Sequence, residues 1–137
     1  KTRVLRMKEV PPMPLFALKS QIPGCSLDNP EQDYRSARRA GQYRISAQAV
    51  YFPAFPGTRY LPFRAVTRAL TRNTSLPLTG CCGKALPMVR LRLYYDGESY
   101  QDFLFEKAPE ANRVLDDLHA LCPDTPIERE TRPLSAV

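Results

Sequence analysis

Four arginines, Arg68, Arg72, Arg90 and Arg92, stand in "AVTRALTR" and "MVRLRLYY", two segments where residues alternate in character. On an extended chain successive side chains point to opposite faces, so each pair falls on one face of its strand. A guanidinium is a permanently charged planar fork that grips carboxylate or phosphate and stacks on aromatic rings. Tyr60 or Tyr94 could add stacking surface, as in platforms for single-stranded nucleic acid. Asp102, on the following segment, is placed to neutralise Arg90 or Arg92. The chemistry these residues offer is binding of an anion: an acidic protein segment, another anionic ligand, or nucleic acid. Nucleic acid is disfavoured, because its binders carry more lysine and more exposed aromatics.

The other reactive groups are thinner. "GCCGK" places Gly80, Gly83 and Lys84 in one loop. A nucleotide-hydrolysing phosphate loop needs wider glycine spacing and a Ser or Thr after the lysine, where this chain has Ala85. What survives is a cradle of backbone amides which, aided by Lys84, would hold an anion. The single His119 lies beside an apolar stripe near a helix end, where its charge suits the helix dipole. The four cysteines, Cys25, Cys81, Cys82 and Cys122, form no C-x-x-C pair. A structural zinc site has no support, and no metal or cofactor is expected. Adjacent Cys81 and Cys82 read as loop or buried thiols in a reducing cytoplasm.

"YFPAFPGTRYLP", Tyr51 to Pro62, is similar to the H-F-P-x-x-P-x-x-P-G active-site run of hot-dog hydroxyacyl-thioester dehydratases, which act on acyl carrier protein substrates. That chemistry needs a histidine base and a carboxylate from a neighbouring segment to activate water. Here the histidine position is Tyr51, whose phenol, with an ordinary pKa of about 10, is a poor base. No Asp or Glu occurs between Arg35 and Tyr95, and no long central helix is readable after the run. The expectation is no catalytic residue, with Pro53, Pro56 and Gly57 bending and turning an edge strand. A dehydratase-like enzyme stays as the alternative; it requires a long buried helix after "YFPAFPG" and a carboxylate near Tyr51.

Charge and length bound the rest. A chain of 137 residues has material for one core. Its fourteen prolines, clustered around 11–14, 53–62 and 123–133, forbid long helices there. The net charge of +6 is unevenly spread: the window from Arg35 to Tyr95 holds ten arginines and Lys84, whereas Asp96 onward holds ten acidic and four basic residues. The asymmetry points to an anionic partner for the basic face or to pairing between the two halves. No apolar run is long enough to span a membrane, and the first residues lack a signal-peptide layout. The chain reads as cytoplasmic. It begins at Lys1 rather than Met, so membrane association is expected only through a segment upstream.

Residues 1–41 read as an irregular arm, with "VLRM" and "LFALK" as candidate edge strands and a short helix over Glu31–Ala40, capped by Asp28 or Asn29, opened by Pro30 and stopped by Gly41. "QYRIS" and "AVYFPA" predict strands around a Ser-Ala-Gln turn, followed by "TRYLPF" and "AVTRALTR"; a helix over 64–72 also fits the spacing, but its threonines favour strand. "NTSLPLTGCCGKALP" reads as a loop. "MVRLRLYY" then puts Val89, Leu91, Leu93 and Tyr95 on one face, and "SYQDFLFEK" answers with Phe103 and Phe105. Odd-numbered residues on both strands meet only across an odd-length loop, so Asp96-Gly97 predicts a three-residue hairpin loop with a bulge at Gly97. "PEANRVLDDLHAL" is the clearest helix, with Val114, Leu115, Leu118 and Leu121 on one stripe. From 123 to 137 too few apolar residues remain, and a mobile tail is expected.

A run of antiparallel strands closed by one amphipathic C-terminal helix resembles the pleckstrin-homology-like (PH-like) group, particularly its small bacterial relatives. The resemblance rests on "ISAQAVYF", "RYLPFRAVTRA", "MVRLRLYYDGESYQDFLFE" and the helix, from Tyr43 to Leu121. It implies an α+β domain over 42–122, a strongly bent antiparallel sheet or partly open barrel with the helix packed on it. It implies a binding module for phosphoinositides, peptides or proteins rather than an enzyme. The phosphoinositide signature of that group is not matched, since only Arg44 and a distant Arg59 stand in the corresponding region.

Overall fold

The computed structural model describes residues 18–77 and 85–134. Along them run β1 (Leu18–Ser20), α1 (Pro30–Ser36), β2 (Arg38–Ala40), β3 (Tyr43–Ile45), β4 (Ala49–Ala54), β5 (Gly57–Pro62), a 3-10 turn at Phe63–Ala65, β6 (Val66–Pro77), β7 (Ala85–Tyr95), β8 (Ser99–Phe105), α2 (Ala108–Leu121) and β9 (Ile127–Glu128). The strands form a five-stranded sheet in the order β1-β5-β4-β3-β2 and a four-stranded sheet in the order β8-β7-β6-β9. The fold is therefore mixed α+β in two sheets, and the described strands close no barrel. Consecutive strands within β2–β5 and within β6–β8 pair antiparallel, while β1 joins β5 and β9 joins β6 in parallel. The expectation of a wholly antiparallel sheet thus misses one parallel strand on an edge of each sheet.

Alternation places the core. Val50, Phe52 and Leu61 from the first sheet and Phe63 from the 3-10 turn meet Leu91, Leu93, Phe103 and Phe105 from the second sheet. Tyr43 packs edge-on against Phe103 and Phe105 at 5.2 and 5.3 Å, and its hydroxyl accepts from the Leu104 N–H at 3.0 Å. The predicted stripe of α2 joins the same core: Val114, Leu115 and Leu118 are fully buried and Leu121 packs at the margin. Burying one such side chain is worth about 1.5–3 kcal/mol, so this stripe holds the helix to the sheet. β4 is buried on both faces, because Ala49 and Tyr51 form a second cluster with Tyr60 on the side that α1 covers.

Several local readings change. The helix over Glu31–Ala40 stops at Ser36, with Asn29 Oδ1 accepting from the Gln32 N–H at its start, and residues 38–40 leave it for β2. Ladder pairing with β3 and burial of Ala40 outweigh helix propensity there. Gly41, at φ +63°, turns β2 into β3 instead of stopping a helix. The turn after β4 is Phe55-Pro56, joined by a cis peptide bond, with Ala54 facing Gly57, and β4 lies between β5 and β3 rather than on the expected edge. Residues 73–77 and 85–87, read as loop, extend the β6–β7 hairpin, pairing Asn73 with Val89 through Pro77 with Ala85. Once two strands are in register the ladder propagates past polar residues that composition assigns to a loop.

The β7–β8 connection is the three-residue Asp96-Gly97-Glu98, with Tyr95 opposite Ser99. Asp96 and Gly97 take φ of 49° and 83°, but the β7–β8 register runs without a shift, so no bulge lies in that ladder. The irregularity sits instead in β6, between Val66 and Arg68. Of the segment expected as a mobile tail, residues 123–134 are described: Ile127 and Leu134 pack against the core, and β9 lies beside β6. "VLRM" falls outside the described residues, and of "LFALK" the described part begins β1.

Candidate functional site

The β6 irregularity decides the site. Val66 and Ala69 both belong to the core, which simple alternation forbids for residues three apart. The shift after Val66 turns Arg68, Leu70 and Arg72 to the outer face, opposite Tyr94, Arg92 and Arg90 respectively. On β7 the odd residues Val89, Leu91 and Leu93 are buried, which leaves Arg90, Arg92 and Tyr94 outside. All four arginines singled out from the sequence therefore share one surface. Gly80, Gly83 and Lys84, the proposed anion cradle, lie outside the described residues.

The face is held by aromatics and carboxylates. Arg92 donates to both oxygens of Asp102, at 2.8 and 3.0 Å, and its guanidinium lies 3.9 Å from the centre of the Tyr100 ring. Hydrogen bonding to Asp102, then to Tyr94, pushes Arg92 further above its already high pKa. Tyr100 meets Tyr94 edge-on at 5.7 Å, and the Arg68 guanidinium lies over the Tyr94 ring at 5.0 Å from its centre. Arg72 ion-pairs with Glu128 at 2.8 Å, and Arg68 reaches the same oxygen at 4.0 Å. Arg90 donates to Thr74 Oγ1 at 3.2 Å and lies 4.0 Å from Asp102. Among the described residues, two carboxylates thus serve four guanidiniums. Arg72 and Arg90 stand directly opposite, a like-charged pair that costs stability unless an anion screens it.

Two partners escaped sequence reading. Tyr100 was accessible in principle, because the register that sets Phe103 against Leu91 also sets Tyr100 against Tyr94. Glu128 had no local signal, since β9 is two residues long and exists only by docking. Tyr60, offered as a stacking surface, is instead buried beside Tyr51, its hydroxyl accepting from the Leu27 N–H.

Tyr51 does have a carboxylate beside it. Asp33, on α1 and just before the acid-free window, accepts from Tyr51 Oη at 2.7 Å and from Ser46 Oγ. Burial, then the Asp33 hydrogen bond and charge, push the Tyr51 phenol well above its ordinary range, so it keeps its proton. The run that follows is β5 and the 3-10 turn, not a long helix. His119 is exposed in the last turn of α2. Cys25 and Cys122 are free thiols, while Cys81 and Cys82 lie outside the described residues. Among the described residues no group of three His, Cys, Asp or Glu is placed to hold a metal ion, and no helix is long and apolar enough to cross a membrane.

Compared with models of protein families, with curated proteins and with solved structures, the chain matches none.

Proposed function

We propose that this chain is a non-enzymatic, PH-like binding module that holds an acidic protein segment on the outer face of its second sheet. The PH-like reading is supported by order: four antiparallel strands, β2–β5, then three, β6–β8, then a helix packed on them. The ligand reading is carried by one observation, the exposed Arg72 standing opposite the half-buried Arg90 on a face with, among the described residues, half as many carboxylates as guanidiniums. A carboxylate-bearing segment relieves that repulsion and takes charge-assisted hydrogen bonds, each worth about 1.5–3 kcal/mol. Glu128 and Asp102 already model the contact, since both are carboxylates presented from neighbouring strands.

The test is fluorescence anisotropy of a labelled peptide of alternating glutamates, titrated at low salt with the full chain, with Arg90→Ala and with Arg64→Ala as an exposed substitution off the face. Arg90→Ala is expected to weaken binding at least about tenfold, the lower end of one charge-assisted bond, and Arg64→Ala to leave it unchanged. Equal affinity in all three chains overturns the proposal. Tighter binding of a single-stranded oligonucleotide, with a steep salt dependence, transfers the arginine face to nucleic acid.

A further inference from the structure

We infer that the edge of β6 is a strand-addition site for an extended peptide of the pattern apolar-Glu-x-Glu, and that the chain's own residues 126–134 occupy it in cis. The inference rests on the acidic-segment reading above and specifies its partner. Ile127 and Glu128 pair in parallel with Ala69 and Leu70, and the Ala69 N–H donates to the Pro126 carbonyl at 3.0 Å. Beyond those two residues the ladder gives way to side chains that imitate it. The Glu130 N–H donates to Thr71 Oγ1 at 2.8 Å, and the Asn73 N–H donates to Glu130 Oε1 at 2.9 Å. Asn73 Nδ2 then donates to the carbonyls of Arg132 and Pro133 at 3.1 and 3.3 Å.

Each residue of "IERE" has a separate task. Ile127 packs against the core, and Glu128 takes Arg72 and approaches Arg68. Arg129 turns away to Asp116 on α2, and Glu130 caps the open backbone of β6. Main-chain bonds to a sheet edge supply affinity, and alternate side chains supply specificity, which is how extended peptides add to a sheet. Nothing in these contacts requires the peptide bond that joins the segment to α2. The short Cys122–Pro126 link makes it a tethered ligand at high effective concentration, so a free peptide must displace it. Displacement exchanges one glutamate for another on Arg72 and leaves the core below intact.

The experiment uses the full chain and Glu128→Ala/Glu130→Ala, with a labelled peptide of the sequence DTPIERETRPL and a scrambled version. The loosened variant should bind the ordered peptide at least about tenfold more tightly than the parent chain does, as expected for removal of a tethered competitor. Adding Arg72→Ala should reverse that gain, and the scrambled peptide should bind no better to the variant than to the parent. Thermal melts verify that each chain is folded; if the double variant does not melt cooperatively, the exposed Glu128→Ala alone gives the same comparison with a smaller gain. Equal peptide binding by folded parent and variant overturns the inference, as does equal binding of ordered and scrambled peptides. A concentration-dependent dimer of the variant overturns it in favour of tail exchange between copies. Loss of polyglutamate binding in Arg90→Ala without any effect of Glu128→Ala removes this inference and leaves the proposed function standing.

Discussion

Among single residues, Asp33 is a tie point between α1 and the sheet. Its carboxylate accepts from Ser46 Oγ, Tyr51 Oη and Gln48 Nε2, and so ties α1 to the turn and strand beneath it. Tyr51 is sealed against the same helix, 5.2 Å edge-on from Tyr34, which in turn carries the Arg44 guanidinium at 4.6 Å. The phenol is a structural donor to a carboxylate. Tyr51→Phe keeps the ring and removes one charge-assisted bond, so an unfolding free energy lower by about 1.5–3 kcal/mol is expected in urea titrations. A change below about 0.5 kcal/mol, the size of an ordinary surface substitution, would show that the bond is dispensable.

Among elements, α2 is the one that both sequence and packing determine most fully. Its apolar stripe lies three to four residues apart and meets β6, β7 and β8. Leu115→Ala removes a fully buried side chain from that contact and is expected to cost about 2–5 kcal/mol, with a correspondingly lower melting temperature. Unchanged stability would mean that the helix is not the cover of the sheet. The arm around α1 contrasts with it: seven residues, no fully buried side chain, and attachment through Asp33 and Tyr34. Helices this short are marginal without tertiary contacts, which explains why its end was not readable from propensity.

Over the whole molecule, charge separated along the sequence is rejoined in space. Arg38 pairs with Asp117, Arg72 with Glu128 and Arg92 with Asp102, each linking the acid-free stretch to the acidic C-terminal third. The docked C-terminal segment also gives the molecule an acid limb. Hydrogen bonds from the Asn73 backbone, then from Arg132, lower Glu130 from an ordinary 4.5 to about 2. The folded state therefore holds this carboxylate's proton less tightly than the unfolded chain does. The stabilisation is complete above pH 4.5 and is lost as pH falls from there towards 2. Glu130→Gln should flatten stability across that interval in pH-resolved urea titrations, and an unaltered slope would show that Glu130 is not the group responsible. Legible along the chain were the alternating faces of β7 and β8, the odd-length loop between them and the stripe of α2, because periodicity and parity are properties of neighbours in sequence. Tertiary structure alone decided which arginines meet, where the β6 register slips, that Asp33 answers Tyr51 and that Glu128 answers Arg72. Those contacts join residues far apart in sequence, and their energies exist only once the two sheets, α2 and the C-terminal segment have packed.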